Sequence, residues 1–395
     1  MQYDIIIIGG GMVGGSLAAA LRDTTLRIAL VDAAPLNTQD DPRLIALTHS
    51  SHCLFSNLNI WHTLAPQAAA IKQVHVSDRG HFGKTRLNAQ DVGLSALGYV
   101  IPAKYINAAL DNVLKNSPHI TQFRPAKLKT LTQSMEGATL TISTETGELA
   151  LDAKLVIGAD GSDSTVREQL GISCETTDYQ QSALVTTTTL QRSHQHIAYE
   201  RFHSNGAIAL LPLTEQRCAT IWTDKTDVIQ QLMQLDDATF VAELQKQFGY
   251  LAGRLLGSSQ RHVFPLKMVK IAKTVQEHVL LIGNAAHTLS PLAAQGLNLA
   301  LTEVAMLAEM LIDNPHQTNW QPYIEWQQKQ IATSTQLSHQ LPQTFSHDFS
   351  LLNLTRQLGM ISLDICPPVK RRFAWRAMGR TVNTPRLLLK RKPLA

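Results

Sequence analysis

The residues best suited to chemistry stand near the start of the chain, in YDIIIIGGGMVGGSLAAAL, Tyr3 to Leu21. Gly9 permits a tight turn, Gly11 lets backbone N–H groups approach a pyrophosphate, and Gly14 lets a helix pack closely on its strand. Asp32 lies 18 residues beyond Gly14, where a carboxylate that holds a ribose hydroxyl belongs. The chemistry is dinucleotide binding, by unpaired N–H groups and the positive dipole end of a helix. This segment alone leaves open which dinucleotide; its competitor is a glycine-rich turn in an unrelated α/β domain.

Strands and helices must position these residues. The apolar run Ile5 to Ile8 reads as a buried strand, the Ala/Leu-rich segment after it as a helix, and Leu26 to Val31 as a second strand. Two more short apolar strands, Lys154 to Ile157 and Val279 to Ile282, also run into glycine turns, Gly158-Ala159-Asp160-Gly161-Ser162 and Gly283-Asn284-Ala285-Ala286-His287. Ligands of doubly wound sheets bind beyond the carboxyl ends of parallel strands. Three loops converging there enclose something long that stays, which favours FAD over a nicotinamide.

Between these strands, Pro42 to Leu58 reads as a helix with Arg43 at its start, and Ala103 to Leu114 as another. Lys127 to Leu131, Thr139 to Ser143 and Glu148 to Leu151 read as an antiparallel meander with a turn at Gly147, and Ser164 to Arg167 starts a helix. From Ser182 to Leu266 alternating and β-branched segments dominate, interrupted by one helical pattern, Thr239 to Leu256. A long helix follows from Gly296 to Ile312, and helices fill most of Trp320 to Met378.

With 44% apolar and 17% charged residues, the 395-residue chain is an ordinary globular protein, large enough for two connected domains. No signal-peptide pattern or membrane span is expected. The net charge of +4 conceals an asymmetry: nine Lys/Arg and no Asp or Glu follow Cys366, leaving 4 − 9 = −5 for the rest. Four scattered cysteines, Cys53, Cys174, Cys218 and Cys366, read as buried free thiols, and no metal motif is visible. His287 reads as a structural histidine in preference to a catalytic base, and no catalytic residue is identified.

The segments GGGMVGG, GADGSDSTVR and GNAAHTLSPLAAQGLNLALTE resemble the single-component aromatic-hydroxylase flavoproteins, above all the ubiquinone-biosynthesis FAD-dependent hydroxylases (2-polyprenyl-6-methoxyphenol hydroxylase-like). RLIALTHSS from Arg43, NGAIALLPL from Asn205 and KRRFAWRAMG from Lys370 extend the resemblance over nearly the whole chain. Ser290, Ala294, Ala300 and Glu303 depart from the late signature's His, Gly, Gly and Asp, and Asn284 stands where most relatives have Asp.

The resemblance implies an α/β fold, with a Rossmann-type FAD-binding domain, an inserted mostly antiparallel β-sheet substrate domain and a helical C-terminal region. The expected parts are FAD-binding at 1–75, 102–180 and 271–320, substrate domain at 76–101 and 181–270, and helical region with basic tail at 321–395. It further implies that Gly9, Gly11, Gly14 and Asp32 hold the ADP half of FAD and Arg43 its pyrophosphate. Asp160 and Gly161 would lie between FAD and the nicotinamide, and Gly283, Asn284, Pro291, Gly296, Leu297 and Asn298 would hold the flavin half. Asp160 has a competing reading as a turn or cap residue, and Arg43 as a surface residue.

The implied reaction hydroxylates a polyprenylated phenol with dioxygen and transient NADH or NADPH, by way of a flavin hydroperoxide. Ala207 to Leu213 would give the apolar substrate wall. The tail, with Phe373, Trp375, Met378 and Leu387 to Leu389 among its basic residues, suits an anionic membrane surface or a quinone-biosynthesis complex, with a solvated face as the plainer reading. Nucleic acid is not an expected partner, because the body is acidic and carries no nucleic-acid module. The expected location is cytoplasmic, peripheral on the inner face of the membrane. The alternatives are a hydroxylase of a soluble aromatic acid, clamped by Arg192, Arg201 or Arg217, and a non-catalytic flavin-binding scaffold.

Overall fold

The structure, a computed structural model, describes residues 1–36, 41–81, 83–288, 295–346, 364–379 and 384–389. Strand Gln2–Ile8 lies inside an eight-stranded sheet. Ile5 and Ile7 enter one core with Leu17, Leu301 and Val304, while Ile6 and Ile8 enter another with Leu140, Leu151 and Val156. Successive side chains of a strand point to opposite faces, so a strand covered on both sides must be apolar throughout. Burying each isoleucine contributes about 1.5–3 kcal/mol before entropy is charged against it.

Five strands of this sheet run parallel in the order Val279–Leu281, Gly147–Gly158, Gln2–Ile8, Ile28–Val31, Ile120–Phe123. Ile8 is in register with Gly158 and Val31, and Gly158 with Leu281. The glycine turns therefore leave the sheet at one level.

Three local readings change. The expected hairpin arm at Glu148 to Leu151 and the buried strand at Lys154 to Ile157 are one strand, Gly147–Gly158, pairing antiparallel with Ala138–Thr144 and then parallel with Gln2–Ile8. Pro42 to Leu58 is not one helix: Leu44–Thr48 is a strand, and the helix is His49–Asn57, with Thr48 Oγ1 accepting from Ser51 N–H. Backbone pairing of Leu44–Thr48 with Gly98–Pro102 outweighs the helical periodicity. Finally, the helical pattern Thr239 to Leu256 is the helix Asp237–Phe248 followed by the strand Leu255–Ser258, and a further helix, Thr226–Gln234, precedes it. Among the cysteines, Cys53 and Cys218 are buried, whereas Cys174 is exposed and Cys366 half-buried.

A nine-stranded, mostly antiparallel sheet contains Cys174–Leu190, Ile197–His203, Gly206–Pro212, Arg217–Lys225 and His262–Ile271, with Gln73–Asp78 and Lys84–Asn88 at one side. Strand Cys174–Leu190 runs through residue 180, where the sequence suggested a boundary. One face of this sheet carries Leu184, Tyr199, Ile208, Leu210 and Trp222 against Phe240, Leu244 and Phe248 of the helices. The other turns toward a three-stranded sheet of Leu44–Thr48, Gly98–Pro102 and Ala69–Ile71.

The C-terminal helix Pro367–Ala377 closes the end of this second interface. Ala374 and Met378 are buried with Leu87, Val92 and Leu97, and Phe373 and Trp375 pack against that cluster. Met378 and the two aromatic residues expected at a bilayer are thus docked on the protein itself. Leu388 is fully buried in the main core, and of the apolar residues in the described tail Ile365, Val369 and Leu389 are exposed. Among the described residues no helix is long and apolar enough to cross a membrane.

Candidate active site

Backbone hydrogen bonds join the three glycine turns. Gly9 N–H donates to Val31 O at 2.8 Å, Ala159 N–H to Ile8 O at 2.7 Å, and Ile282 N–H to Gly158 O at 2.9 Å. Gly9 has φ +102°, and a Cβ there would stand 2.4 Å from Ala159 O; a Cβ on Gly14 would stand 1.9 Å from Gly9 O. Side chains at either position would force strand, helix and neighbouring loop apart. Gly11, Gly161 and Gly296 differ: among the described residues a Cβ at any of them meets no atom within 4 Å. One glycine on each segment is thus open beside its backbone, which permits close approach of a ligand.

Asp32 sits at the end of strand Ile28–Val31, as its spacing predicts. Its Oδ2 accepts from Gly10 N–H at 2.5 Å and its Oδ1 from Ala34 N–H at 2.7 Å. Arg124, only 6% exposed at its side chain, holds Asp111 at 2.7 Å and lies 3.8 Å from Asp32. A carboxylate offers about four acceptor sites, so these contacts leave capacity for a hydroxyl. Arg124 escapes a sequence reading, because its partners are remote in the chain.

Arg43 precedes a strand and is half-exposed; its Nε and Nη2 donate to Asp41 at 2.8 and 2.6 Å. Asp160 accepts from Ser164 Oγ at 2.6 Å and Val166 N–H at 3.1 Å, so its carboxylate braces the first turn of helix Thr165–Gln169, whose N-cap is Ser164. That side chain is engaged at the helix start, which leaves the backbone of Asp160 and Gly161 for any ligand. Asn284 is exposed, and its Nδ2 donates to Ser162 Oγ at 3.4 Å across two of the turns.

Gly283, with φ +58°, is wedged between Val13 and Ala300. Its N–H donates to Glu303 Oε2 at 2.9 Å, and Glu303 Oε1 is 2.5 Å from His287 Nε2 and accepts from Gln327 Nε2 at 3.0 Å. Glu303 is completely buried, so His287 belongs to a structural network that holds the third turn. At the start of helix Gln295–Asp313, Leu297 packs against the main core. The Asn298 carboxamide clamps the small sheet, donating to Ala46 O at 2.8 Å and accepting from Thr48 N–H at 2.8 Å and Ser51 Oγ at 2.7 Å. That side chain is directed at protein, not at the open glycine edge. Pro291 lies outside the described residues. His49, His52 and Cys53 also bring possible ligand atoms within 4.8 Å of one another, a grouping that one helical turn produces and cysteine spacing did not suggest.

Beside Asn298 and Thr48, a cavity of about 230 Å³ lies between the nine-stranded sheet and the small sheet. Ala207, Ala209 and Leu211 line it, whereas Ile208 and Leu210 point into the helical face, so alternate residues of this segment face the cavity. Apolar cavities near 150 Å³ accept benzene, and this one has room for a substituted ring. Ala374, Ala377 and Met378 of the tail form part of its wall. Arg192, Arg201 and Arg217 are not among the lining residues; Arg217 instead donates to Thr214 Oγ1 at 2.9 Å.

Among the described residues the one carboxyl on the cavity wall is Glu200, which the sequence reading missed. Burial raises it to about 7. In strand Ile197–His203 a charged residue reads as solvent-facing, but Glu200 shares a face with Ala198 and Phe202, both buried, and that period-two pattern was the available signal.

Comparison with known proteins agrees with this architecture. The FAD binding domain family matches residues 2–317. The ubiquinone hydroxylase UbiL of Rhodospirillum rubrum is 31% identical, covering 95% of this chain and 89% of its own. The 3-demethoxyubiquinol 3-hydroxylase of Escherichia coli is 27% identical, covering 95% and 98%. The p-nitrophenol 4-monooxygenase PnpA of Pseudomonas putida superposes with a TM-score of 0.79 at 14% identity, covering 96% of this chain and all (100%) of its own, and so shares the fold.

Proposed function

Because the chain belongs to the FAD binding domain family and is an FAD-dependent aromatic-ring monooxygenase, we propose that it hydroxylates a polyprenylated phenol in ubiquinone synthesis, using dioxygen and visiting NADH or NADPH. The observation that carries this substrate class is the cavity wall, which is apolar and holds a carboxyl but no cationic side chain among the described residues. An aromatic acid would meet Glu200 with no arginine to neutralise it, which argues against the soluble-acid reading. The relatives named for ubiquinone hydroxylation support the pathway.

In this reading the backbone of Gly9 to Gly14 takes the ADP half, and Asp32, already fixed by Gly10 and Ala34, accepts a ribose hydroxyl. Arg43 binds the pyrophosphate after leaving Asp41, and Asp160 and Gly161 contribute backbone beside the nicotinamide's place. Gly283, Asn284, Pro291 and Gly296 to Asn298 hold the flavin half. The N-terminal N–H groups of helix Gln295–Asp313 would favour negative charge on a flavin held beside them. The open glycines Gly11, Gly161 and Gly296 fit such a long ligand.

Bound FAD supplies activated oxygen once NAD(P)H has reduced it, one atom entering the ring and the other leaving as water. The protein's own part is to hold the ring, keep water out and manage the phenolic proton. The exposed Arg371, Arg372 and Arg376, with exposed Ile365 and Val369 nearby, support contact with an anionic membrane or a partner in quinone synthesis, from which the lipid substrate would come.

The test is turnover of the FAD-loaded protein with a prenylated phenol and with an aromatic acid. Product from the phenol heavier by one oxygen, with matching NAD(P)H oxidation, is expected. Oxygenation of the acid alone would reject the substrate class, and oxygenation of neither would reject the enzyme reading.

A further inference from the structure

We propose that Glu200 is the catalytic group that accepts the phenolic proton of the substrate while the ring is oxygenated. The proposal rests on the hydroxylase reading above and adds the residue that the sequence could not name. Glu200 lies in mid-strand, paired with Ala209 on one side and Val76 on the other, and its side borders the cavity rather than bulk solvent. Among the described residues its carboxyl has neither a hydrogen-bond donor nor a cation beside it. A half-buried carboxyl that faces an apolar cavity without a partner is costly, and its persistence in that wall is accounted for if the substrate supplies the partner.

The surroundings leave it alone in that role. Among the described residues Tyr199 is the only other ionisable one on the cavity wall, and its ring stacks edge-on against Phe248, 5.9 Å away on the helical side. His75 meets Tyr199 on that side, and Asp224 faces His203 at 3.9 Å. Tyr99 of the small sheet packs with His52 and Trp61, Glu303 is held by His287, and Lys370 of the tail helix is paired with Asp91 and Asp364. Arg86 and the tail's Arg371, Arg372 and Arg376 are exposed, and Arg201 is not on the wall. Thr48, Thr223 and Asn298 complete the polar lining without charge.

The step is a proton transfer. The phenolic O–H bond breaks, its electron pair stays on oxygen and strengthens the ring as a nucleophile, and the proton forms a bond with a Glu200 carboxylate oxygen. When the hydroxylated product forms, Glu200 returns the proton to the same oxygen. No electron donor or oxidant is needed beyond the NAD(P)H and dioxygen of the parent reaction. Burial that places the carboxyl near 7 suits it to this exchange at neutral pH, where a general base is most effective.

The experiment compares wild type, Glu200→Gln and Glu200→Asp as FAD-loaded proteins. Glu200→Gln should retain full FAD content and lose about 10²-fold or more in hydroxylation rate. The rise of the wild-type rate through pH 7 should vanish in Glu200→Gln and return in part in Glu200→Asp. Affinity for an unreactive phenol, read from flavin fluorescence, needs no turnover: wild type should weaken about fivefold from pH 7 to pH 6 as the carboxylate protonates, and Glu200→Gln should stay flat. Rates within threefold of wild type with an unchanged pH profile would overturn the proposal. If wild type oxygenates no phenol, the hydroxylase reading fails by itself, and an identical pH dependence of phenol affinity in wild type and Glu200→Gln would then overturn the role of Glu200 separately.

Discussion

Glu303 Oε1 lies 2.5 Å from His287 Nε2, and the same carboxylate accepts the Gly283 N–H through Oε2. One fully buried side chain therefore fixes both ends of the third glycine turn. Glu303→Ala would leave His287, Gln327 and the Gly283 N–H without their acceptor, a change that costs roughly 3–5 kcal/mol. Denaturant unfolding should show that loss together with low FAD content; Glu303→Asp should show a smaller one. Unchanged stability in Glu303→Ala would remove the network from any account of the site.

Gly11 and Gly14 should respond differently to an added side chain. Gly11→Leu meets open space, so the protein should fold, with a normal circular-dichroism spectrum, and be purified colourless. Gly14→Ala drives a methyl into Gly9 O and should lower the unfolding midpoint as well as flavin content. A yellow Gly11→Leu protein with stoichiometric FAD would misplace the pyrophosphate. Cys53→Ala should keep its flavin.

Arg43 is half-exposed and pairs with Asp41, and surface ion pairs contribute about 0–1 kcal/mol. Arg43→Ala should therefore change stability by less than about 1 kcal/mol while weakening FAD binding measured by titration of the apoprotein. Equal FAD affinity in wild type and variant would return Arg43 to an ordinary surface role.

The tail's two contributions should separate. Reversing Arg371, Arg372 and Arg376 to glutamate should reduce binding to anionic liposomes and leave KM for a detergent-dispersed phenol alone. Removal of residues after Cys366 should also raise that KM, because Ala374, Ala377 and Met378 wall the cavity. Charge-reversed protein that still sediments with liposomes would exclude the basic face as the contact.

Glu200 also has a signature in stability. A carboxyl raised to about 7 binds its proton more tightly folded than unfolded, so its contribution is full below the ordinary carboxyl range and is lost as pH rises toward 7. Glu200→Gln should gain stability relative to wild type over that window, as followed by thermal unfolding. A difference independent of pH would mean that the group is not buried.

The glycine turns were legible because backbone geometry leaves few residue choices at such positions. Gly9, Gly14 and Gly283 occupy sites where a side chain collides. The level ends of the three strands were also inferable from their glycines, although the register of Ile8 with Gly158 required the structure. Arg43 was placed on a helix because local periodicity does not report the remote strand Gly98–Pro102 that pairs with its neighbours. Asn298 matched a motif position, but the contacts of its carboxamide to Thr48, Ser51 and Ala46 depend on an encounter across 250 residues of chain. Glu200 was illegible for a related reason: the wall opposite it comes from Ala46 to Thr48 and from the tail, and burial of a single charged residue is a property of the assembled layers.

The level register of Ile8, Gly158 and Leu281 has a consequence for biosynthesis. Turns at residues 9, 158 and 283 meet only after the last of these strands and the helix ending at Asp313 have left the ribosome. The nascent chain must keep the exposed edges of its first strands from misassociating while it waits, and flavin can meet all three turns only once Val279–Leu281 and the turn after it have been made. Chains arrested before Val279 should emerge without the coenzyme, however well their first βαβ unit has folded.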